Sequence, residues 1–175
     1  MEGISVETQL GWYRQMCLIR AFEREVYQLN TAGVVRGTAH LYIGMEAIAV
    51  GACTALREDD LLTSTHRGHG HCIGCNLDLG RMMAEILGRA DGTCGGKGGS
   101  MHIADISRGM LGADGIVGGG IPIAVFNLKV PSRIGGPFIA SINTSRRLPA
   151  GMEATSEIVF RSSPSCLIMK PVVVK

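Results

Sequence analysis

Charge and aromatic side chains are scarce in this chain. Of its 175 residues 18% are charged, and one Trp, three Tyr and four Phe make up the aromatics. The formal net charge of +2 is too small to suggest a nucleic-acid partner. No apolar stretch reaches the length of a membrane span, so no membrane partner is expected. Met1 to Leu10 shows no basic segment followed by an apolar run, so a secretory leader is not expected and the expected compartment is the cytoplasm. No second CxxC block follows Cys72 and Cys75, and the six cysteines read as free thiols rather than a disulfide framework. A P-loop is also missing: Lys97 sits in Gly-Gly-Lys-Gly-Gly, with Gly98 where Ser or Thr would follow.

What is present suffices for a packed core. Nearly half the residues are apolar, and the length suits one domain or one large fragment of a bigger one. Steps of three and four from Leu10 through Phe22 to Leu29 predict an amphipathic helix over Glu7–Asn30, with Gly33 as its stop. A second helix is predicted over Met45–Arg57 and a short buried strand over Leu61–Thr65. Asp78 reads as the cap of a third helix running to Gly88. Alternating strand and helix point to an α/β fold, whose ligands bind beyond the carboxyl ends of the strands.

Just past the predicted strand, residues 63–75 read Thr-Ser-Thr-His-Arg-Gly-His-Gly-His-Cys-Ile-Gly-Cys, holding three of the five histidines in the chain. One reading is a zinc or interaction module built on His66, His69, His71, Cys72 and Cys75. A redox role for Cys72 and Cys75 lacks a thioredoxin-like context, and a polar loop with chance histidines is the bland alternative. An anion site accounts for more of the residues. Arg67 is a bidentate phosphate donor, and Gly68 and Gly70 leave the backbone open before a helix starts. Downstream, twelve glycines fall within residues 88–120, interleaved with Met101, Ile103, Leu111 and Val117. That mixture reads as a packed segment whose N–H groups approach a ligand closely.

Four motifs in order carry a resemblance: His40-Leu-Tyr-Ile-Gly-Met-Glu-Ala47, Thr65-His-Arg-Gly-His-Gly-His71, Gly-Lys-Gly-Gly-Ser-Met-His102 and Gly115-Ile-Val-Gly118. Over about residues 10–124 the chain resembles the alpha subunit of thiamine-diphosphate-dependent 2-oxo acid dehydrogenase first components. Within that group it looks most like the acetoin dehydrogenase alpha subunit, with the pyruvate dehydrogenase alpha subunit next. The resemblance implies an α/β fold: the N-terminal part of a thiamine-diphosphate-binding domain, its parallel sheet incomplete here. It implies His40 and His69 as catalytic residues, and His40, His66, Arg67, Gly115 and Val117 as cofactor contacts. The implied cofactors are thiamine diphosphate and magnesium. The implied reaction breaks a C–C bond of a 2-oxo acid or acetoin and passes the acyl group to a lipoyl group. The implied partners are a beta subunit and a lipoyl-bearing acyltransferase.

After Ala124 the texture changes. Residues 1–124 carry ten Lys+Arg against thirteen Asp+Glu, whereas residues 125–175 carry seven against two. The Gly-Asp-Gly and later Asn that would hold magnesium in the family are missing, and residues 125–175 contain no Asp at all. The expected organisation is a partial cofactor-binding domain over 1–124 and a divergent tail over 125–175, read as out-of-frame translation or, alternatively, as a true variant carrying an unrelated tail; either way the truncated chain is expected to be inactive. The closing Cys-Leu-Ile-Met-Lys-Pro-Val-Val-Val reads as a strand or an apolar tail.

Overall fold

The computed structural model describes residues 3–128 without interruption, the last four by backbone alone, and beyond them only the strand backbones at 139–140, 146–147, 153–160 and 167–172. Helix α1 spans Val6–Thr31, as its apolar spacing predicts. Ser5 caps it, its hydroxyl accepting the Thr8 N–H at 3.2 Å. It ends at Ala32, and Gly33 then takes a positive φ of 73°. The buried stripe of α1 is Ile19, Phe22, Glu23 and Val26.

Helix α2 covers Glu46–Thr54 and stops short of the predicted Arg57. The Asp60 carboxylate accepts the Arg57 N–H at 2.9 Å, which turns the chain toward strand β1 instead of extending the helix. Strand β1, Leu62–Thr65, is buried along its whole length. Helix α3, His69–Gly74, follows at once, and then α4, Leu79–Ile86. Asp78 caps α4 as expected, accepting the Arg81 N–H at 2.8 Å. Two 3-10 turns, Gly99–Met101 and Ile106–Arg108, lead into strand β2, Met110–Asp114. Helix α5 is Gly120–Leu128.

Strand β2 was not evident in the sequence, because Gly112 interrupts its apolar alternation. It lies parallel to β1, from Leu62↔Met110 to Thr65↔Asp114, with one register shift after Leu62. The outer edge of β2 is closed by the chain before it. Asp105 and Met110 exchange backbone bonds at 2.9 and 3.1 Å, and the Ala113 N–H donates to the Ile103 carbonyl at 2.9 Å. Strand β3, Ile139–Ala140, runs parallel to β1 on its other side. Beyond it β5, Glu153–Phe160, is antiparallel to β3, and both β4, Arg146–Arg147, and β6, Leu167–Val172, are antiparallel to β5. Among the described residues the parallel part is therefore small, and within the closing segment residues 167–172 form a strand.

Apolar side chains leave this sheet on both sides. Leu62, Met110 and Ala113 join the core formed with α1 to α4. Leu61 and Leu111 pack with Ala124 of α5 in a second, smaller cluster. Adjacent residues of a strand point to opposite faces, so Met110 and Leu111 must serve different layers. Among the described residues no helix is long and apolar enough to cross a membrane. The five described cysteines are free thiols.

Candidate functional site

Because β1 and β2 are parallel and end together at Thr65 and Asp114, the residues after each strand emerge side by side. His66 and Arg67 leave β1, and Gly115 to Val117 leave β2. His40, from the segment between α1 and α2, meets His66 edge to face, with ring centroids 5.0 Å apart. Arg67 fixes that segment: its Nη1–H donates to the Leu41 carbonyl at 2.5 Å. On the β2 side the Asp114 carboxylate accepts the Ile116 N–H at 2.8 Å and turns the chain. Val117 is 55% exposed and Ile116 74%, a high value for apolar side chains. Gly115 lies against His102: a Cβ there would come within 3.2 Å of two ring atoms. Burial, the neighbouring His40 and the Arg67 charge together hold the His66 ring below its ordinary value of 6.5.

His69 lies elsewhere. It is wholly buried, and both ring nitrogens are engaged. Nδ1 faces Glu23 Oε1 at 2.7 Å, and Nε2 faces the hydroxyl and carbonyl of Ser100 at 2.9 and 3.1 Å. Three elements far apart in sequence, α1, α3 and the turn at Gly99–Met101, are thereby joined one residue pair away from Arg67.

The zinc alternative is not supported. His71 bonds Ser64 Oγ at 2.9 Å and meets the Tyr42 ring edge at 5.4 Å. Cys72 is in the core, where burial pushes its thiol well above its ordinary range. A hydrogen bond from Cys53 draws the Cys75 thiol down. His66 turns to His40 instead. Among the described residues no three His, Cys, Asp or Glu side chains come together to hold a metal ion. The physical reason is α3 itself: helical geometry sends residues 69, 71 and 72 in different directions.

Gly70 is also reassigned. It sits inside α3 rather than opening a loop, and the Tyr42 ring occupies the space its Cβ would need. Its role is close packing. A Cβ on Gly68 would similarly fall 2.6 Å from the Ala113 Cβ.

One polar residue escaped the sequence reading. Glu85, wholly buried on α4, accepts four backbone N–H groups of the glycine-rich segment. Cys94 and Gly96 donate to Oε2 at 2.7 and 2.8 Å, and Gly98 and Gly99 to Oε1 at 2.6 and 3.2 Å. Burial raises the carboxyl, but these four donors outweigh it and hold it below the ordinary carboxylate range. The available signal was an acid between Met82 and Ile86 on an apolar helix face; Glu23 between Phe22 and Val26 shows the same pattern. A cleft of about 530 Å³ between α1, α2 and α3 is lined by Arg14, Gln15, Cys53 and Asn76, and by none of the predicted site residues.

Comparison with known proteins places these observations. The family described as Dehydrogenase E1 component matches residues 13–136. The alpha subunit of acetoin:2,6-dichlorophenolindophenol oxidoreductase from Bacillus subtilis is 58% identical over 125 residues, covering 70% of this chain and 38% of that protein. Its counterpart from Cupriavidus necator is 51% identical over 117 residues, 67% of this chain and 35% of that protein. The pyruvate dehydrogenase E1 component subunit alpha of Rhizobium meliloti is 45% identical over 114 residues, 65% of this chain and 33% of that protein. The chain thus spans between 33% and 38% of the length of these three relatives.

Proposed function

The chain belongs to the dehydrogenase E1 component family, and from that premise we propose that it is part of an alpha-type subunit of a thiamine-diphosphate-dependent dehydrogenase acting on acetoin or a 2-oxo acid. One observation supports the reading: parallel strands β1 and β2 end level, Thr65 opposite Asp114, immediately before His66–Arg67 and Gly115–Val117. These residues fit the cofactor in kind. Arg67 offers a cation to a diphosphate, and Val117 offers an exposed apolar face to a ring. Gly115 offers backbone. His40 and His66 stand together, ring against ring, and the lowered pKa of His66 disfavours its charged form beside Arg67. The cofactor, when bound, supplies the carbon–carbon bond cleavage itself.

His69, the other proposed catalytic histidine, acts from inside. By tying α3 to Glu23 and Ser100 it fixes the helix that begins two residues after Arg67. The proposed partners are a beta subunit and a lipoyl-bearing acyltransferase, which would receive the acyl group.

Magnesium is the weak point of the site. The Gly-Asp-Gly that the family would place after residue 124 is not in the sequence, which has no Asp at all over 125–175, and that stretch falls mainly outside the described residues. We therefore expect the isolated chain to be inactive and to bind the cofactor poorly. Isothermal titration with thiamine diphosphate and Mg²⁺ tests both parts. Binding weaker than micromolar, and weakened again by Arg67→Ala, is the expected result. Micromolar binding would refute the incomplete clamp, and binding indifferent to Arg67→Ala would refute the site.

A further inference from the structure

A glycine-rich run presents successive N–H groups that suit an anion. Here the anion belongs to the chain. We propose that Glu85 is a positioning residue: its buried carboxylate is the centre around which residues 94–99 fold, and it thereby sets His102 against Gly115 and Ser100 against His69.

The geometry is specific. Two N–H groups reach each carboxylate oxygen, from Cys94 and Gly96 on one side and Gly98 and Gly99 on the other. Side chains are excluded where the loop wraps closest. A Cβ on Gly98 would lie 2.6 Å from the His102 carbonyl and 3.2 Å from Glu85 Oε1. The segment leaves this anchor directly into Ser100, which holds His69, and His102, whose ring borders Gly115. The Cys94 thiol adds a contact to the His102 carbonyl at 3.5 Å. Since the N–H groups of Cys94, Gly96, Gly98 and Gly99 already face Glu85, an external phosphate is directed to Arg67 instead. The inference rests on the proposed function only for what this wall faces.

The test uses the full chain without cofactor. Glu85→Gln keeps the shape, but removes the charge and turns an amide NH₂ toward two of the four donors. In the parent protein the Gly96 and Gly98 amide protons should resonate downfield and exchange slowly. In Glu85→Gln their exchange should rise about tenfold or more. Trypsin should cut after exposed Lys97, at the peptide bond whose N–H is the Gly98 donor, faster by a similar factor. The nuclear Overhauser contact between the His102 ring and Gly115 should disappear while the helical circular dichroism is kept.

Unchanged exchange and cutting would overturn the anchoring. A loosened loop with the His102–Gly115 contact intact would overturn the positioning. If Glu85→Gln does not fold, Gly98→Ala disturbs the loop with Glu85 in place. It should lose the same contact, and its persistence would overturn the proposal. Failure of cofactor titration leaves these amide measurements standing, so the two readings fail separately.

Discussion

Replacing His69 by Ala should remove a large part of the stability of the fold. Glu23 is 0% exposed, and its Oε1 bonds His69 while its Oε2 has no hydrogen-bond partner among the described residues. Without the imidazole the carboxylate stays buried with neither oxygen satisfied. Breaking one side of a buried pair in this way costs about 3–5 kcal/mol. A domain stands only about 5–15 kcal/mol above its unfolded state. At roughly 2–4 °C per kcal/mol for this size, the melting midpoint should fall by roughly 6–20 °C.

Removing both partners should be milder than the sum of the single losses, because Glu23→Ala/His69→Ala strands neither group. A coupling of about 0.5–3 kcal/mol is expected for residues in contact. Urea denaturation followed by circular dichroism reads both quantities from the midpoint, with the slope unchanged. A loss below about 1 kcal/mol for His69→Ala, or strict additivity in the double variant, would refute the view of this trio as a buried pin.

Gly70→Ala should destabilise the protein, since the Tyr42 ring fills the space of the new methyl. Overpacking costs about 1–3 kcal/mol, whereas better helix propensity returns at most about 1 kcal/mol; a melting midpoint at or above the parent would contradict this. His66 gives a pH signature. Its folded value is lowered from 6.5, so just below 6.5 the unfolded chain binds more protons, and stability rises with pH there and is lost on acidification. His66→Gln should flatten that slope in denaturation midpoints taken between about pH 5 and 7, and an unchanged slope would count against it. Translating the encoding DNA beyond codon 124 in the other two frames should reveal Gly-Asp-Gly followed by Asn. Its absence from both would remove the out-of-frame explanation of the tail.

Elements with strong periodicity were legible in the sequence. Helix α1 follows the spacing from Leu10 to Leu29, and the Asp78 cap starts α4. Strand β2 was hidden because Gly112 breaks its pattern, and its apolar residues serve two different layers. For the proposed site, the types of His66, Arg67, Gly115 and Val117 are legible in the sequence, but the register that ends β1 and β2 level is not revealed by any local pattern. The histidine cluster was visible as a cluster and misleading as one. Proximity along the chain put His69 and His71 beside Arg67, while helix geometry sent them to Glu23 and to Ser64. The glycine run reads in the sequence as a segment whose N–H groups approach a ligand, whereas four of those groups face Glu85 on the preceding helix, which nothing in the spacing reveals.

The backbone bonds that residues 103–105 make along β2 bear on solubility. β2 is the terminal strand of its sheet, and an uncovered terminal strand recruits a strand from another molecule. Here the N–H groups of Met110 and Ala113 and the carbonyl of Met110 are already taken. Two copies of the chain therefore find little to zip against at this margin. A substitution that loosens the short turn at Ile106–Arg108 would first register as aggregation on storage, before any change at the cofactor edge.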